Sequence, residues 1–117
     1  MTAQQLGTVR VRLHVLRIIR DHPGCSALLI ARSVKYRQRD GTYVTFNQRT
    51  GHYAYRSLRF LLHEGLVTRI RTNTRTKKLV GFTITDQGSN WLKANRELLS
   101  SPLPLPHLYK THNTILP

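Results

Sequence analysis

The chain has 117 residues, 39% of them hydrophobic, which suits one domain with its own core and is too short for two. No apolar run approaches the roughly 20 residues of a membrane span, and the opening MTAQQLGTVRVR lacks the apolar block and cleavage site of a secretory leader, so a cytoplasmic location is expected. Nineteen Lys and Arg against five Asp and Glu give a net charge of +14, an excess that repels itself unless a polyanion shares it.

Residues 8–21 read as an amphipathic helix capped by Thr8, with Val9, Leu13, Leu16 and Ile19 at helical spacing and Val15 and Ile18 widening the apolar face. Pro23-Gly24 ends it. The single cysteine, Cys25, can form neither an internal disulfide nor a CxxC zinc pair. Ser26 is then a natural N-cap for a second helix over residues 27–36, with Leu29, Ile30 and Val34 as its buried side and Ala31 allowing close helix approach. The period changes in YRQRDGTYVTF, where Asp40-Gly41 marks a turn between short strands, so residues 36–46 are expected to form a two-stranded finger carrying Arg37 and Arg39.

A third helix is expected from residues 47–50 to Glu64, with Thr50 as its N-cap and Gly65 as its stop. Tyr55, Leu58, Leu61 and Leu62 mark its core face. With Leu58 at the centre, Arg49, Tyr53, Arg56, Phe60 and His63 point outward, with His52 and Arg59 on the flanks. Phe60 on that polar side is expected to pack under the finger or the first helix.

Two alternating segments, 66–72 and 79–85, flank the basic NTRTKK and read as a β-hairpin. Val80, Phe82 and Ile84 share one face of the second segment; Leu79, Gly81 and Thr83 share the other. Thr85-Asp86 opens a last helix over 86–99, with Trp91, Leu92, Asn95, Leu98 and Leu99 on its apolar side. The alternating prolines after it favour an extended path, a strap on the domain or a ligand for an aromatic groove. The division expected is a domain at 8–99 and an extended Pro-rich tail at 100–117.

Three helices, a hairpin and a closing helix give an α+β chain in the order of a winged helix-turn-helix. The segment AYRSLRFLLHEGLVTRI resembles the junction between recognition helix and wing in winged helix regulators, with Tyr55, Leu58, Leu61, Gly65, Leu66 and Val67 in matching places. FTITDQG resembles the end of the wing, with Thr85, Asp86 and Gly88 matching the motif that opens the C-terminal helix. The resemblance is to PadR-like and MarR-like prokaryotic and archaeal regulators and covers residues 8–99. It departs in the finger, which is longer than the tight turn of that family.

The resemblance implies a DNA-binding transcriptional regulator, nucleoid-associated, with the helix at 47–64 in the major groove, where base edges are distinguishable. Its contacts would come from Gln48, Arg49, His52, Tyr53 and Arg56, with Arg49 and Arg56 touching bases or phosphates alone. Arg69, Arg71, Arg75, Lys77 and Lys78 of the wing would lie on the backbone or minor groove. Arg10, Arg12, Arg37 and Arg39 would add backbone contacts, the first two because cations near a helix N-terminus welcome an external anion. Trp91, Leu92 and Leu98 would pair two copies of the chain, or close the monomer core.

Duplex DNA is the partner expected ahead of RNA, and a specific regulator ahead of a general DNA-coating, chromatin-like or mobile-element accessory protein, or of a basic RNA- or ribosome-associated protein. No enzymatic role is expected: Asp21, Asp40, Glu64, Asp86 and Glu97 all have local uses and form no acid–base pair. The six histidines fall in no zinc-ligand pattern, so neither metal nor cofactor is expected.

Overall fold

The structure, a computed structural model, describes residues 2–45, 47–73, 78–99 and 103–104; the side chains at 3, 4, 48, 49, 72, 73, 78 and 79 lie outside that description. The first helix, α1 (Ala3–Asp21), begins well ahead of the expected Thr8. A reciprocal capping box sets its start. The Thr2 hydroxyl accepts from the Gln5 N–H at 3.1 Å, and Gln5 Oε1 accepts from the Thr2 N–H at 2.9 Å. Val11, Leu13, His14, Val15, Leu16 and Ile19 are all buried. Burial nearly all round its middle makes α1 the helix on which the others pack.

α2 (Ala27–Ser33) starts as expected, with the Ser26 hydroxyl accepting from the Leu29 N–H at 3.1 Å. It stops short of the expected Tyr36 because Val34 turns extended and Tyr36 enters a strand. Ile30, Ala31 and Val34 are buried, whereas Leu29 stays 41% exposed instead of joining the core. β1 (Tyr36–Arg37) and β2 (Tyr43–Val44) form the expected finger, Tyr36 opposite Val44 and Arg37 opposite Tyr43. At its turn, Asp40 Oδ1 accepts from both the backbone N–H and the hydroxyl of Thr42.

α3 (Gln48–His63) is capped by Asn47 and not by Thr50. Asn47 Oδ1 accepts from the Thr50 N–H and Thr50 Oγ1 accepts from the Asn47 N–H, both at 2.9 Å, so Thr50 is the third helical residue of a capping box. The helix ends in a Schellman turn. Leu66 N–H reaches Leu61 O at 2.9 Å and Gly65 N–H reaches Leu62 O at 3.2 Å. Gly65 takes the left-handed φ of 74° that this turn requires.

β3 (Val67–Asn73) and β4 (Lys78–Ile84) make the second hairpin. Cys25, between α1 and α2, bridges antiparallel to Phe82, through Gly24 N–H to Phe82 O at 2.8 Å and Phe82 N–H to Cys25 O at 3.0 Å. The single residue Cys25 thus flanks β4 on the side away from β3. Only glycine fits at position 81, because a Cβ there would meet Gly24 O and stand 2.8 Å from Gly24 C. α4 (Asp86–Ala94) opens on Thr85, whose hydroxyl accepts from Gly88 N–H at 3.1 Å and donates to Gly65 O at 2.8 Å. The expected helix over 86–99 is broken at Asn95, and Arg96–Leu99 continues as a 3-10 turn.

The chain is therefore mixed α+β, with four α-helices and two small antiparallel hairpins among the described residues. Its core runs from Val11 to Leu103, a residue of the Pro-rich stretch. Leu103 is 1% exposed, and its carbonyl accepts from the Arg37 N–H at 2.7 Å, with Pro104 bridging parallel to Arg37. The rest of the Pro-rich segment, residues 100–102 and 105–117, lies outside the described residues. No helix among the described residues is long and apolar enough to cross a membrane.

Candidate nucleic-acid interface

The burial of α3 fixes which of its side chains face outward. Thr50, Gly51, Ala54, Ser57, Leu58 and Leu61 are buried. On a wheel of about 100° per residue their centre falls near Ala54 and Leu61, roughly 50° from the Leu58-centred axis expected from the apolar residues. The offset comes from Gly51, Ala54 and Ser57, small residues that are buried beside Leu58 and Leu61 and that a count of large apolar residues passes over.

The opposite face carries His52, Tyr55, Arg56, Arg59 and His63, all exposed. They recur at spacings of three, four and seven and form one continuous stripe. Tyr55, expected in the core, is 39% exposed. Tyr53, expected to point outward, is half-buried with its ring centroid 6.4 Å from that of Tyr36. Arg59 moves from flank to stripe. Counting Thr50, Ala54 and Ser57 as buried would have found this register from sequence. α3 holds no acidic residue, so nothing in the stripe offsets Arg56 and Arg59. The Gln48 and Arg49 side chains lie outside the described residues.

The cations of α1 are used differently from the expectation. Because the helix starts at Ala3, Arg10 and Arg12 sit in its interior, where the argument from the helix N-terminus no longer holds. Arg10 Nε donates to Leu98 O at 3.3 Å, tying α1 to the 3-10 turn. The Arg12 guanidinium lies over the Phe60 ring, 3.5 Å from its centroid, which accounts for an aromatic residue beside the stripe. Burial lowers the Arg12 pKa, opposed by the charge of Glu64 and reinforced by that of Arg56. His14 adds no charge near neutrality. Burial, with Arg17 and Arg10 nearby, brings its pKa down to about 4, and Arg17 Nη2 stands 3.3 Å from its Nδ1.

On the second hairpin Arg69 and Arg71 are exposed, opposite Phe82 and Val80 in register. Arg75 and Lys77 lie outside the described residues, as does the Lys78 side chain. Arg37 and Arg39 are exposed on the finger. Leu92, expected at an interface between copies, is 2% exposed inside the core of its own chain, with Trp91 and Leu98 half-buried against that core.

Cys25 is buried, and burial raises its thiol pKa, which disfavours a reactive thiolate. Asp40 is held below the ordinary carboxylate range by its hydrogen bonds from Thr42, and Asp21 pairs with Arg20 at 3.0 Å. Among the described residues no group of three or more His, Cys, Asp or Glu could hold a metal ion. Compared with known proteins, the chain matches no family model, no curated protein and no solved structure.

Proposed function

We propose that this chain is a winged helix-turn-helix module that binds duplex DNA, with α3 in the major groove and the β3–β4 hairpin as the wing on the flanking backbone. The observation that carries the reading is the outward stripe of α3. A helix of about 10–12 Å diameter fits a major groove about 12 Å wide. One that buries a small-residue face and presents Arg56, Arg59, His52, His63 and Tyr55, with no carboxylate on the helix, has the chemistry to enter it. The order of elements supports the same reading. A strand residue between α1 and α2 pairs with the second wing strand, and α3 runs directly into the first.

In this reading Arg56 and Arg59 contact phosphate or guanine, and Arg69 and Arg71 hold the adjacent backbone. The charge of +14 also favours a second reading, a general duplex-coating protein with the same docking and no preferred site. Fluorescence anisotropy with a mixed-sequence duplex across a salt series tests the shared part. Log affinity should fall against log salt with a slope of at least about 3, and Arg56→Gln/Arg59→Gln should reduce it by about 2. No measurable duplex binding refutes the reading, and a wild-type slope well below about 3 refutes a docking held by these Arg side chains on phosphate. A preferred sequence recovered from a randomised duplex pool, and lost in the Arg56→Gln variant, separates the regulator from the coating protein.

A further inference from the structure

We propose that the β1–β2 finger is a second duplex-contacting arm, braced by Leu103 and Pro104, that grips phosphates beyond those held by α3 and the β3–β4 hairpin. The proposal rests on the duplex-binding reading above and extends its footprint. A helix-turn-helix connection needs about 3–4 residues, whereas residues 34–47 separate α2 from α3. The added chain is not slack. Two-stranded ribbons are marginal on their own, yet this one is fixed at three points. Tyr36 is fully buried beside Tyr53 of α3. The Thr50 hydroxyl of α3 donates to Thr45 O at 3.0 Å. Arg37 N–H donates to Leu103 O, and Leu103 is buried with Pro104 alongside.

Bracing of this kind fixes the finger relative to α3. Tyr53 stands three residues before Arg56, about 60° from it on a helix of about 100° per residue, so the finger meets α3 on a flank that borders the outward stripe. The two faces of the ribbon are chemically distinct. Tyr36 and Val44 turn inward, while Arg37 and Tyr43 are exposed, Tyr43 by 55%. Lys35 and Arg39 are exposed as well. The finger's own carboxylate, Asp40, is engaged by Thr42 within the turn. An exposed aromatic among three cations, held beside a cationic helix, is complementary to a polyphosphate backbone, which the Arg side chains can grip and the Tyr hydroxyl can hydrogen-bond.

The test uses the full chain and a mixed-sequence duplex of ~24 base pairs, long enough to extend past a single major-groove contact. Arg37→Gln/Arg39→Gln should lower the salt slope by about 1.8, at 0.9 per released contact. It should leave the thermal unfolding curve unchanged, because both side chains are exposed. Lys93→Gln/Arg96→Gln, which removes equal charge from α4 and the 3-10 turn, should change the slope by less than ~0.5. A finger variant with the wild-type slope overturns the arm alone. Equal losses in the two variants reduce the finger to net charge and overturn it too. A wild-type chain with no duplex binding overturns the arm and the function together.

Discussion

Replacing Gly81 with Ala tests the join on which the order of elements depends. The added Cβ would meet the backbone carbonyl oxygen of Gly24 and stand 2.8 Å from its carbon and 3.0 Å from its Cα. All three atoms are backbone, so no side-chain rotamer relieves the clash. The segment carrying Gly24 and Cys25 must lift from β4. The two hydrogen bonds of that bridge, at 2.8 and 3.0 Å, are then strained or lost. Overpacking costs typically 1–3 kcal/mol and each lost hydrogen bond about 1, so a destabilisation of about 3 kcal/mol is expected. For a domain of this size that lowers Tm by roughly 10–15 °C. Gly7→Ala is the matched control: it lies in α1 with nothing within 4 Å of the added Cβ, and should stabilise by about 0.5–1 kcal/mol through helix propensity. Differential scanning calorimetry reads both. A Gly81→Ala protein melting within about 2 °C of wild type would mean that Gly24 does not lie against β4, and the reasoning would fail.

Other expectations follow from single groups. Thr50→Val should destabilise by about 1–3 kcal/mol in urea unfolding, because the buried hydroxyl accepts from Asn47 N–H and donates to Thr45 O. Tyr36→Phe should leave stability unchanged or raise it by up to about 1 kcal/mol, since the buried Tyr36 hydroxyl has no partner among the described residues. A clear loss would show that the hydroxyl is satisfied. His14 has a folded pKa of about 4 against an ordinary 6.5, so the unfolded chain binds the extra proton between those values. Stability is therefore lost as pH falls from about 6.5 to about 4, by about 3 kcal/mol from this group. His14→Gln should flatten that part of the stability–pH curve, and an unchanged slope would contradict it.

Local chemistry was legible in the sequence wherever a few adjacent residues decide it. Ser26 and Thr85 cap α2 and α4 as read, Asp40-Gly41 turns the finger, and Gly65 closes α3. The start of α1 was also written in Thr2 and Gln5, but Gly7 interrupts the apolar period and Thr8 offers a competing cap. The register of α3 was harder to read, because its contact face uses Gly51, Ala54 and Ser57, which apolar counting ignores. That one choice moved Tyr53 inward and Tyr55 and Arg59 outward. The roles of Arg10 and Arg12 depend on Leu98 and Phe60, far away in the chain, and the brace at Leu103 depends on a pairing with Arg37. Contacts at such separations leave no periodic trace.

The central claim is that the α3 stripe enters a major groove, and groove geometry tests it most directly. A-form RNA has a deep, narrow major groove that side chains cannot read, while B-form DNA admits a helix. Affinities for a DNA duplex and an RNA duplex of the same sequence should be compared at about 0.15 M salt, where exposed charges act over about 8 Å. The wild-type chain should prefer the DNA duplex by at least about tenfold, and Arg56→Gln/Arg59→Gln should lose most of that preference. Equal affinity for the two duplexes, or a variant weakened on both alike, would contradict it.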